Sequence, residues 1–162
     1  MLQRALATLL LIFLITLAAR ASGQDAAKPT APPDGLPEAP GKAVLLRTCT
    51  ACHGTDMIVD APRTVPLWRD TLELMKNFGA EASDEDWKTI GDYLITQLAH
   101  LSVNKAPTED VAQVFGIDQA MAQQVVEYRD KQGGFKTIDD LKKVPQLDAA
   151  TVDALKARLI FN

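Results

Sequence analysis

The chain is poor in the side chains that build metal and redox centres, with 2 cysteines, 2 histidines and 4 methionines among 162 residues. Two thiols exclude a larger cysteine-bound cluster, which takes four. A zinc site needs about four ligands, and only Cys49, Cys52 and His53 lie close together in sequence. Positive charge is not in excess either: 17 Lys and Arg face 21 Asp and Glu, a formal net charge of −4. Units that bind nucleic acid are usually clearly basic. A membrane-length apolar run is also missing, because the N-terminal stretch over residues 5–19 is shorter than the roughly 20 residues a spanning helix requires.

That stretch has another use. Met1-Leu2-Gln3-Arg4 carries one basic side chain, and the apolar run closes on Ala19-Arg20-Ala21, the small-x-small pattern of a signal-peptidase site. Residues 1–21 therefore read as a signal peptide, which implies export to the periplasm or an equivalent compartment and no membrane span once it is cleaved. Pro29, Pro32, Pro33, Pro37 and Pro40 then fall among Ala, Gly and acidic residues. Such a composition buries little apolar surface, so residues 22–40 are expected to be a disordered linker.

Both cysteines belong to one motif, Cys49-Thr50-Ala51-Cys52-His53. Two thiols three apart can each form a thioether with a porphyrin vinyl group, and the adjoining imidazole supplies a nitrogen to the iron. The motif predicts one covalently attached haem c, held through Cys49 and Cys52 with His53 as an axial metal ligand. A thioredoxin-like disulfide would need a strand before the first cysteine, whereas residues 41–48 read as a helix.

The candidates for a second axial ligand are Met57, Met75 and His100. Met57 lies only four residues past His53, near for reaching the opposite face of a ring, and is the weaker alternative. Met75 lies in a helical segment opened after Pro66 and ended by Gly79, where Trp68, Leu72, Met75 and Phe78 recur at helical spacing as one apolar stripe. Ser83-Asp84-Glu85-Asp86 then has the form of a helix start. The helix after it is predicted to carry Trp87, Ile90, Leu94, Leu98 and Leu101 on one side, to include His100, and to pack across the helix before Cys49.

Residues 41–104 resemble the class I cytochrome c family, in particular the small haem domains that accompany periplasmic dehydrogenases. The resemblance rests on Cys49, Cys52, His53, the helix from Trp68 to Met75, Gly79 and Tyr93-Leu94. It implies an exported electron carrier or electron-transfer subunit whose partner is a redox protein, either a dehydrogenase or a terminal acceptor. This half holds six basic and nine acidic side chains, so a partner with a basic face is favoured for rapid encounter. A peroxidase would need acid-base groups on an open side of the iron, and His100 is the only spare histidine. No enzyme activity is therefore expected.

Residues 105–162 show a different pattern. Val111, Val114 and Phe115 form one helical face, Gly116-Ile117-Asp118 breaks it, and Met121, Val125, Val126 and Tyr128 form another that stops at Gly133-Gly134. Thr137-Ile138-Asp139-Asp140, Leu141 and Val144, the break Pro145-Gln146-Leu147, and Asp148 before Val152, Leu155 and Leu159 repeat the scheme. From Asn104 to Asn162 the chain resembles the tandem helix-hairpin-helix family, especially DNA-uptake competence proteins. Asn104-Lys105-Ala106, Phe115-Gly116-Ile117, Gly134-Phe135-Lys136-Thr137 and Asp139 to Pro145 carry this resemblance. The family's DNA-holding hairpins bring glycine amides to a phosphate, but here Asp118 and Asp148 stand at glycine positions and the segment has eight basic against nine acidic residues. The expectation is an all-α chain, a small cytochrome c domain followed by a tandem helix-hairpin-helix docking module. The alternative is a periplasmic DNA-binding or DNA-uptake protein that carries a haem domain, with DNA disfavoured as a partner.

Overall fold

A computed structural model describes residues 34–60 and 62–162. The expected signal peptide and residues 22–33 of the expected linker lie outside the described residues. The last part of that linker, residues 34–40, is ordered, contrary to its composition. Leu36 is fully buried, and the Tyr93 hydroxyl donates to the Pro37 carbonyl at 2.7 Å. Lys42 Nζ, itself buried, donates to the Leu36 carbonyl at 3.0 Å and pairs with Asp34 at 3.0 Å. One leucine and one lysine anchor the segment where prolines alone predicted solvation.

Helix α1 spans Lys42–Cys49. Gly41 precedes it at φ +97°, and a Cβ there would stand 3.1 Å from the Thr89 carbonyl oxygen, so glycine meets both the backbone and the space requirement. A single turn, α2, spans Asp56–Val59, and α3 spans Val65–Asn77 with Pro66 in its first turn, where a missing N–H costs nothing. Helix α4 spans Asp84–Tyr93, with the Ser83 side chain accepting from the Asp86 amide. It packs on α1, as its apolar stripe requires.

The helix expected to run on through Leu101 stops earlier. A π turn covers Leu94–Leu98, closed by the Ala99 amide donating to the Leu94 carbonyl at 2.9 Å. His100 and Leu101 are extended: His100 bridges to Thr64, and Leu101–Ser102 forms strand β1, paired in parallel with Leu159–Ile160, strand β2, in the register Leu101 to Leu159. The cause lies at the other end of the chain. The Arg158 guanidinium takes the carbonyls of Ile95, Thr96 and Ala99 at 2.9, 2.7 and 2.8 Å, and those groups are then unavailable to continue the helix.

Four further helices follow among the described residues: α5 at Thr108–Phe115, α6 at Gln119–Gln132, α7 at Ile138–Leu141 and α8 at Ala149–Leu155. Helices α5 and α6 form one hairpin across Gly116 at φ +64°, and α7 and α8 form the second across Gln146 at φ +66°. Asn104 ties them to the first half, because its side chain accepts from the Phe135 amide at 2.7 Å and donates to the Phe135 carbonyl at 2.8 Å. The buried side chains, from Leu36 and Leu45 through Trp68 and Tyr93 to Phe135, Leu141 and Val152, form one continuous core.

Candidate functional site

Pro66 starts α3 and the Gly79 turn ends it, which sets the length of a helix facing the cysteine motif. A cavity of about 100 Å³ opens between them, smaller than the roughly 300–1,000 Å³ usual for ligand pockets. Its walls include Leu45 and Cys49 from α1, His53, Met57 and Ile58 from the loop and α2, Arg63, then Trp68, Thr71, Leu72 and Met75 from α3, and Leu94. The structure thus gathers Cys49, His53 and both candidate methionines around one space. His100 is not among its walls and lines two neighbouring cavities instead. Phe78, expected on the same stripe as Met75, follows the end of the helix and is 75% exposed.

His53 Nδ1 stands 3.0 Å from the Gly54 carbonyl. A carbonyl only accepts, so Nδ1 carries the proton and Nε2 keeps a free lone pair for a metal. Burial pushes the Cys49 thiol above its ordinary pKa. A protonated, half-buried thiol is a poor redox nucleophile, which weighs against a disulfide role. Cys52 is exposed and lines a neighbouring groove with Arg47, Gly79, Ala80 and Asp86. Among the described residues no group of three or more His, Cys, Asp or Glu side chains is arranged to hold a metal ion.

The residue that sequence reading placed on the apolar stripe but did not assign a polar role is Trp68. It is 3% exposed, and its indole N–H is buried without a hydrogen-bond partner. Buried donors are seldom left unpaired. The Arg63 guanidinium lies 4.7 Å from the centre of the same ring. The cavity therefore has apolar walls that include the Trp68 ring, with Arg63 among its lining. The lining supplies the residue types a flat apolar macrocycle bearing carboxylates would need: Cys49 for a covalent link, His53 Nε2 and a methionine sulfur for the metal, and Arg63 for the acidic edge.

In the second half, the helix starts that would receive phosphate are already occupied. Asp118 accepts from the Met121 amide at 2.7 Å, and Asp148 accepts from the Ala150 and Thr151 amides at 3.3 and 2.9 Å. Some of the eight basic side chains are engaged as well: Lys142 pairs with Asp153 at 2.6 Å, Lys143 with Asp140 at 2.8 Å, and Arg158 is turned inward.

Residues 96–160 match the family model for a helix-hairpin-helix motif. The chain also has relatives among known proteins. Its relatives include the endonuclease/exonuclease/phosphatase family domain-containing protein 1 of Danio rerio, 33% identical over 69 residues, which cover 43% of this chain and 12% of that protein. The Homo sapiens and Mus musculus proteins of the same name are 29% and 32% identical over 100 residues, or 62% of this chain and 16% of theirs. The chain thus spans less than a fifth of the length of these relatives. No solved structure matches it. The family match begins at residue 96, inside the π turn, rather than at 105 where the composition changes, consistent with the pairing of β1 and β2. No described helix is long and apolar enough to cross a membrane.

Proposed function

We propose that the protein is an exported c-type cytochrome, an electron carrier or electron-transfer subunit, whose helix-hairpin-helix half completes its core and docks it. One observation carries this reading: a single cavity collects Cys49, His53, Met75 and the Trp68 ring. Cys49 and Cys52 would attach haem c and His53 would ligate its iron. Met57 shares a short segment with His53, while Met75 comes from a separate helix. In this reading Met75 would be the second iron ligand and Met57 the alternative. Bound there, the iron supplies one-electron chemistry, and a methionine ligand raises its potential relative to paired histidines. The chain's own residues shield that centre, hold the His53 tautomer and balance the acidic edge.

The test is an absorption spectrum and intact mass of protein exported with the host's maturation machinery active. A coloured product heavier than its polypeptide is expected, with a methionine-to-iron charge-transfer band that Met75→Ala abolishes. A colourless product of polypeptide mass would refute the proposal.

The second reading, DNA binding, is favoured by the motif match and by the nuclease family named in the relatives' title. The occupied amides at Asp118 and Asp148 stand against it. Salt-dependent retention of the full chain on duplex DNA at physiological ionic strength would revive it.

A further inference from the structure

Helix α3 supplies Trp68, Leu72 and Met75 to the cavity, and toward its far end it is held by Leu72 against the core and by Lys76, 5.4 Å from the centre of the Trp87 ring. Leu74 and Phe78 are 46% and 75% exposed. Its near end is fixed, with the His100 amide donating to the Arg63 carbonyl at 2.8 Å and Val65 and Trp68 buried.

The next restraint comes from the other half of the protein. Arg69 Nη2 lies 2.9 Å from Asp110 Oδ1, 3.2 Å from Gln113 Oε1 and 3.7 Å from Glu109 Oε1, all on α5. The Asp110 side chain is only 3% exposed. Its Oδ1 makes no hydrogen bond of good geometry despite the short separation, so the contact is chiefly electrostatic. A buried carboxylate without a cation is costly, which fixes Arg69 against α5. Arg69 and Met75 are six residues apart, roughly 240° around the helix. Both side chains ride on one helix, so the pair with α5 holds the helix that carries Met75.

We infer that Asp110, acting through Arg69, is a positioning residue for the methionine ligand, so that the helix-hairpin-helix half sets the strength of the methionine–iron bond in the cytochrome half. The inference rests on the haem reading above. An ion pair between halves converts a change at α5, such as a partner bound there, into a change of ligand strength at the metal.

The experiment compares haem-loaded, full-length wild type with Asp110→Asn, Arg69→Gln and Leu141→Ala. The last removes core volume in the second hairpin, on a helix with no ion pair to α3. Cyanide binding to the ferric protein reports how readily the methionine leaves. Asp110→Asn and Arg69→Gln are each expected to bind cyanide about tenfold more tightly, equivalent to ~1.4 kcal/mol of lost ligand strength. The charge-transfer band should weaken in parallel and the midpoint potential should fall. Leu141→Ala should lower the melting temperature and leave cyanide affinity within about twofold, since distant sites act independently. Should Asp110→Asn fail to fold, Arg69→Gln decides, because that side chain is 43% exposed. Coloured variants whose cyanide affinity equals wild type, or shifts no more than in Leu141→Ala, would overturn this inference alone. A colourless wild type would overturn the haem reading and this inference with it.

Discussion

The two cysteines of the motif are not equivalent. Cys49 is half-buried on the cavity wall, whereas Cys52 is exposed and turned to the groove beside Gly79. In the proposed cytochrome, Cys52→Ser is therefore expected to keep more covalently bound haem than Cys49→Ser, measured as pigment resisting acid-acetone extraction. Equal losses would show that the loop reorganises on attachment. Asp140 makes a separate prediction. Its carboxylate accepts from Lys143, from the Lys136 and Thr137 amides and from the Thr137 hydroxyl, lowering its pKa to about 2. A depressed carboxylate pKa gives stability that is present above the unfolded value near 4 and lost as pH falls through about 2. The melting temperature of wild type should accordingly drop across that window by more than that of Asp140→Asn.

Among the elements, the hairpins differ from phosphate-holding ones at the starts of their second helices. Glycine amides that could approach a phosphate are replaced by aspartates that cap their own helices at Asp118 and Asp148. Replacing a capping aspartate with glycine costs only a few tenths of a kcal/mol. Asp118→Gly combined with Asp148→Gly should stay folded, remove two negative charges and increase salt-dependent retention on duplex DNA, read by a filter or column assay. No gain over wild type would mean that the basic side chains engaged elsewhere, rather than the caps, limit binding. Ser83, Thr137 and Asp148 were legible as helix starts because a cap is a contact over two or three residues. The end of α4 was not, since the group that stops it, Arg158, lies about sixty residues away.

At the scale of the whole molecule, Arg158 and the strand pair join the halves into one core. Burial lowers the pKa of the Arg158 guanidinium, and its three carbonyl partners at 2.7 to 2.9 Å would lose their donors on truncation. Arg158→Met is expected to cost about 1–3 kcal/mol, the range for a buried polar group left unsatisfied. Unfolding followed by far-ultraviolet dichroism and by tryptophan fluorescence should coincide in wild type, because Trp68 and Trp87 lie in the first half whereas the helices are spread over both. Separate transitions in wild type would show that the halves fold independently.

The motif of Cys49, Cys52 and His53, the helix periods and the caps were determined by the sequence alone, because each depends on residues within one or two turns of one another. The approach of Met75 to His53, the unpaired N–H of Trp68, the burial of Leu36 and Lys42, and the pairing of Arg69 with Asp110 were decided only by the tertiary structure. Each of these joins positions with no local relation, and it is the closing of one core over both halves that brings them within reach.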